Sequence, residues 1–153
     1  MSPFRFVLDS SVALSWCFND EATPDTSALL TALGDGGWEA VVPPLWPYEM
    51  VNVLIGAVRR RRITEAQMQS FIGDLLRLPI SSALQSTEMI FQRLEPLATQ
   101  HQLTAYDTAY LELALSEGIA LATKDAALLK AAQSSGIQMM TAGFIRKNKP
   151  SEK

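Results

Sequence analysis

Asp9, Glu49, Asp107 and Asp125 are the residues of this chain whose type and placement could do chemistry. Asp9 closes the apolar run Phe6-Val7-Leu8, and Asp125 follows Leu121-Ala122-Thr123-Lys124. Glu49 lies just beyond Val41-Val42-Pro43-Pro44, and Asp107 falls in the first turn after Leu103-Thr104. Each acid thus sits at a predicted strand end or helix start. In an α/β sheet such positions converge on the edge where ligands bind. Two unit charges 4 Å apart at an effective dielectric of 20 repel by about 4 kcal/mol. A divalent cation offsets that repulsion, and Mg²⁺ or Mn²⁺ on carboxylate oxygens is suited to hydrolysing phosphodiester bonds.

Each acid also has a plainer reading as a helix terminus. Asp9 could cap a helix starting near Ser11, and Asp125 could cap the last long helix. Thr104-x-x-Asp107 resembles a capping box with Asp in place of Glu. Glu49 lies in a first turn, where negative charge complements the helix dipole. Taken singly, each reads first as a cap. Taken together they point to a site, because in a parallel sheet the strands before Asp9 and Asp125 end at the same edge.

The elements that must position these acids alternate along the chain. Strands are expected over Phe4–Leu8, Glu39–Val42 and Ile119–Ala122, with a brief one over Leu78–Ile80 and a final one over Ile137–Met140. Helices are expected over Ser11–Phe18, Asp25–Leu33, Pro47–Arg61, Thr64–Leu76, Thr104–Glu117 and Asp125–Ser134. Ser86–His101 also reads as helical, kinked or broken at Pro96. Thr64-x-x-Gln67 is a capping box, while Gly118 and Gly136 are helix stops. This alternation predicts a parallel sheet flanked by helices, a three-layer α/β/α domain.

The composition bounds the function. The chain has 153 residues and is nearly half hydrophobic, which suits one globular domain with a real core. We expect that domain over residues 1–145 and a flexible tail over 146–153. The apolar runs are too short to cross a bilayer, and the N-terminus lacks a signal-peptide pattern, so a cytoplasmic location with no membrane partner is expected. Cys17 is the only cysteine, which excludes an internal disulfide or a cysteine-based metal cluster. The net charge of −3 argues against coating RNA by general electrostatics, but less against a nuclease whose site must itself be acidic. His101 is the only histidine and leaves little scope for a histidine-based ribonuclease mechanism.

From Phe4 to Met140 the chain resembles the PIN domain family, and most closely its VapC-type toxins. Four segments carry the resemblance: Phe6-Val7-Leu8-Asp9-Ser10-Ser11, Pro47-Tyr48-Glu49-Met50-Val51-Asn52, Leu103-Thr104-Ala105-Tyr106-Asp107-Thr108-Ala109-Tyr110-Leu111, and Leu121-Ala122-Thr123-Lys124-Asp125. The resemblance implies a PIN-like fold with a short central parallel sheet and an Mg²⁺- or Mn²⁺-dependent endoribonuclease. It implies a toxin of a type II toxin–antitoxin pair, a homodimer, and a VapB-like antitoxin partner. Asp9, Glu49, Asp107 and Asp125 would then be the catalytic and metal-binding acids. Thr104, Ser10 and Thr123 match small polar neighbours of those acids. Asn52, one helical turn beyond Glu49, would support it from the same face.

Other residues have competing roles. In Arg59-Arg60-Arg61-Arg62, at least two side chains read as a solvated helix end, while Arg59, Arg60 and Arg62 are candidates for contact with RNA backbone or a protein partner. Asp20 and Glu21 read as a solvated loop. Met68, Phe71, Ile72 and Leu75 read as core or dimer interface. Trp16, Trp38 and Trp46 are placed near the site edge, buried rather than stacking bases. Two other function classes are in view. One is a non-catalytic protein-binding or RNA-binding module of the same fold, its acids serving as caps. The other is an aspartate-nucleophile phosphohydrolase, whose motif needs a second Asp where this chain has Ser11.

Overall fold

In the computed structural model, residues 2–149 are described. Strand β1 (Phe4–Leu8) leads into helix α1 (Ser10–Ser15), a 3₁₀ turn (Asn19–Glu21) and α2 (Pro24–Gly34). Then come β2 (Trp38–Val42), α3 (Trp46–Arg59), α4 (Glu65–Leu75) and β3 (Ile80–Ser82). A short α5 (Thr87–Met89) runs through π turns (Ile90–Leu94) into α6 (Glu95–His101). The chain continues with α7 (Ala105–Glu117), β4 (Ala120–Ala122), α8 (Ala126–Ser134) and α9 (Ala142–Lys147).

The four strands form one parallel sheet in the order β3-β2-β1-β4, flanked by helices as the alternation predicts. From β1 the chain winds outward to β2 and β3, then returns to add β4 on the other side. The strand order therefore reverses between β1 and β4. Such a switch point opens a crevice beyond the carboxyl ends of the strands. Asp9 immediately follows β1, and Asp125 lies three residues beyond β4.

The core explains why β1 holds its place. Phe6, Val7 and Leu8 are wholly buried, with Leu121 beside them on β4 and Tyr110 and Leu111 from α7 packed over both strands. Burying each such side chain is worth about 1.5–3 kcal/mol. The unbroken apolar run of β1 fits a strand covered on both faces. Gly118, in the left-handed conformation, ends α7 and turns the chain into β4.

Thr64 and Gln67 close the predicted capping box at the start of α4. Pro96 acts as foreseen. It has no N–H to donate to the Gln92 carbonyl, its ring crowds that carbonyl, and the helix widens into π turns just ahead of it.

Two expectations are corrected. Ile137–Met140 is not a strand: it meets β4 through one bridge, Leu121 with Met139, flanked by bonds from Leu121 N–H to Gln138 O and from Met140 N–H to Leu121 O. The tail expected from residue 146 begins inside a helix. Thr141 caps α9, Ala142 N–H donates to Asp25, Ile145 is buried, and Phe144 packs against Trp38. Residues 150–153 lie outside the described ones.

Candidate functional site

Asp9 is only 5% exposed, and its surroundings rule out the capping reading of this acid. It occupies the position before α1, yet its side chain makes no capping bond. Instead Oδ2 accepts hydrogen bonds from Ser11 Oγ and Thr123 Oγ1, both at 2.7 Å, and Oδ1 accepts a longer one of 3.4 Å from Ser10 Oγ. Ser11 Oγ also accepts from Lys124 N–H, and Thr123 Oγ1 from Asp125 N–H, each at 3.0 Å. These two hydroxyls tie the end of β1 to the end of β4 across the switch point. They hold a carboxylate that is almost fully buried.

Asp125 does cap its helix, accepting from Leu128 N–H at 2.8 Å. Its charge is nonetheless felt by both Asp9 and Asp107. Thr104 caps α7 by accepting from Asp107 N–H, but no capping box is closed there, which leaves the Asp107 carboxylate free of a capping role. Glu49 lies in the first turn of α3 and accepts a hydrogen bond from the hydroxyl of Tyr110 on α7.

The electrostatics show which acids the fold brings together. Burial raises the Asp9 pKa above the ordinary carboxylate value, Asp125 adds to the shift, and the Thr123, Ser11 and Ser10 bonds oppose it. Burial likewise raises Glu49, with Asp9 and Asp107 adding, against the hydroxyls of Tyr110 and Ser10. Asp107 is raised by burial and by Asp125 and Asp9, against Thr104. Asp9, Asp107 and Asp125 thus lie within one another's field, and Glu49 within that of Asp9 and Asp107; Asp9, Glu49 and Asp107 are held where ionisation is disfavoured.

That donor set fits a hard divalent cation. Mg²⁺ and Mn²⁺ take carboxylate oxygens, and a cation would relieve both the desolvation and the repulsion. Among the described residues no group of three acidic, histidine or cysteine side chains already stands arranged to hold an ion.

Of the neighbours foreseen in the sequence, Ser10, Thr123 and Thr104 contact the acids. Asn52 is exposed and makes no hydrogen bond to them. Arg62 is committed elsewhere: it forms a two-pronged bond to Asp20 at 2.8 and 2.9 Å, reaches Glu21, and lies over the Phe18 ring. Asp20 and Glu21 therefore pin the 3₁₀ turn rather than join the acids. Arg59 and Arg60 are exposed and form no ion pair among the described residues. Trp38 opens β2 and so stands at the edge opposite the site, beside a cavity of about 800 Å³ lined by Ile145 and Arg146 as well. Met68, Phe71, Ile72 and Leu75 pack half-buried against the core.

Sequence reasoning missed Ser11, Tyr110 and Lys124. Ser11 counted there only as the absence of an Asp. Tyr110 was legible as the residue one helical turn after Asp107, hence on its face of α7. Lys124 gave no signal; its Nζ donates to Glu21 O at 2.6 Å, which ties the segment after β4 to the 3₁₀ turn.

The PIN domain family model matches residues 6–134, most of the chain and all four acids. The chain belongs to the PIN domain family. Several solved structures are similar in fold. That of PAE2754 from Pyrobaculum aerophilum has a TM-score of 0.63 at 19% identity, covering 85% of this chain and 87% of that one. VapBC2 from Rickettsia felis, bound to a DNA fragment from its promoter, gives 0.61 at 13% identity, over 89% and 97%. FitAcB from Neisseria gonorrhoeae gives 0.52 at 16%, over 90% and 98%. A search of curated protein sequences finds no significant match.

Proposed function

We propose that this PIN domain is a metal-dependent endoribonuclease and the toxin of a type II toxin–antitoxin pair. PIN domains are in general nucleases, and two of the similar folds are those of VapBC2 and FitAcB. The observation that carries the reading is Asp9: a buried carboxylate at the switch point, held by three hydroxyls, capping nothing, beside three further acids. A structural role would have favoured a neutral residue there, since burying a charge is costly unless something compensates it.

In this reading Asp9, Glu49, Asp107 and Asp125 hold Mg²⁺ or Mn²⁺. When bound, the ion lowers the pKa of an attacking water and stabilises charge on the scissile phosphate. The chain supplies the rest. Ser11, Thr123 and Ser10 fix the Asp9 carboxylate, and Tyr110 restrains Glu49. Thr104 starts α7 so that Asp107 faces the crevice. Arg59 and Arg60 remain available for RNA phosphates or a protein partner, whereas Arg62 serves the 3₁₀ turn. A VapB-like antitoxin, a homodimer and a cytoplasmic setting complete the proposal. Among the described residues, no helix is long and apolar enough to cross a membrane.

One observation favours a second reading, a non-catalytic module of the same fold: Asp125 does cap α8. Cleavage of a structured RNA separates the two. The purified protein should cut it with Mg²⁺ or Mn²⁺ and stop in EDTA, and induced expression should arrest growth. Undiminished cleavage in EDTA would rule out the metal mechanism. No cleavage with either ion would favour the binding module.

A further inference from the structure

We propose that Tyr110 is a positioning residue: through its hydroxyl it holds the Glu49 carboxylate toward Asp9 and Asp107, and so sets how tightly the four acids bind their divalent ion. This role rests on the nuclease reading above.

Tyr110 is wholly buried, and its ring is part of the core beneath β1 and β4. It stands one turn after Asp107 on α7, whereas Glu49 belongs to α3. The bond from its hydroxyl to Glu49 Oε1 is thus a direct link between the helices that carry the second and third acids. The Ser10 hydroxyl at the start of α1 bonds Asp9. Glu49 is otherwise poorly restrained. It is half-exposed, and its neighbours Tyr48 and Val51 face solvent. A glutamate fixed in one conformation loses up to about 1.5–2 kcal/mol of side-chain freedom. A partner rooted in the core lowers that loss when an ion arrives. Packing alone does not need the hydroxyl, because Phe would fill the same space, and a buried hydroxyl costs stability unless it is bonded.

Tyr110→Phe removes the bond and leaves the ring. Mn²⁺ binding by calorimetry and RNA cleavage kinetics are compared for the parent protein, Tyr110→Phe, Glu49→Gln and the double variant, with folding followed by thermal unfolding. Tyr110→Phe should fold and weaken Mn²⁺ binding by about tenfold, the scale on which residues behind a ligand act. Its kcat should fall while the KM for RNA stays unchanged. In the Glu49→Gln background the same substitution should change Mn²⁺ affinity by less than about twofold, since the two act through one contact. An unchanged Mn²⁺ affinity in Tyr110→Phe, or an equal loss in both backgrounds, overturns the positioning role alone, provided the parent protein binds Mn²⁺ and cleaves RNA. A parent protein that does neither overturns the nuclease reading, and this role with it.

Discussion

Asp9→Asn should lower metal-dependent RNA cleavage by at least about 10³-fold, given that Lewis-acid stabilisation by a bound ion is worth several kcal/mol and each 1.36 kcal/mol is a factor of ten. Asn has nearly the shape of Asp, and its carbonyl oxygen can still accept from Ser11 and Thr123, whose hydroxyls now meet at Oδ2. What it lacks is charge. The substitution therefore separates the ligand role from the structural one. It also removes a desolvated carboxylate repelled by Asp125, so the metal-free variant should be at least as stable as the parent. Cleavage rates and denaturant titrations on the same preparations check both halves. A variant that cleaves within tenfold of the parent would remove Asp9 from the chemistry. One that unfolds would make its role structural.

The metal-free protein should be more stable at about pH 5 than at about pH 7, and saturating Mn²⁺ should stabilise it most at the higher pH. Asp9, Glu49 and Asp107 all have folded-state pKa values above the ordinary ones, chiefly through burial. Between the ordinary and the raised values the folded chain holds protons that the unfolded chain has released. Stability from these groups is therefore full below the ordinary carboxylate range and is lost as pH rises through the raised values. A divalent ion on the ionised carboxylates reverses the trend, because it binds the deprotonated folded form. At a concentration one hundred times its dissociation constant it adds about 2.7 kcal/mol. Urea titrations at the two pH values, with and without Mn²⁺, check this. Stability that rises with pH in the metal-free protein, or is indifferent to Mn²⁺ at about pH 7, would contradict the electrostatic account of the site.

Much of this was legible in the sequence, for identifiable reasons. The run Phe6-Val7-Leu8 reads as a buried strand because no polar residue interrupts it. Thr64 with Gln67 and Glu117 with Gly118 mark helix ends whose chemistry is local. Local signals also foretold the order of elements, and with it the edge on which Asp9 and Asp125 meet. Tertiary packing decided what was misread. Ile137–Met140 has strand-like residues, but only Met139 finds a bridge partner on the three-residue β4. Helix α9 went unread, and its last two residues passed for tail, because its anchors, Asp25 and Trp38, are more than a hundred residues away. Trp38 was placed near the site although a residue that opens a parallel strand stands at the other edge from one that closes it.

The acids themselves could be named from sequence, but the sequence could not tell which of them cap a helix. That distinction needed the hydrogen bonds. Asp125 caps α8 and Asp9 caps nothing, although both sit just before a helix. Nor could it show that Arg62 is spent on Asp20 and Glu21, since that pairing spans 42 residues. Tyr110 went unread because a tyrosine in an apolar helix looks like core, which it also is.

The most direct test is a crystal soaked in Mn²⁺ and measured at the manganese absorption edge. The account predicts anomalous density bounded by the carboxylates of Asp9, Glu49, Asp107 and Asp125, and its loss in Asp9→Asn. Ordered side chains with no manganese between them, or manganese bound only elsewhere on the protein, would contradict it.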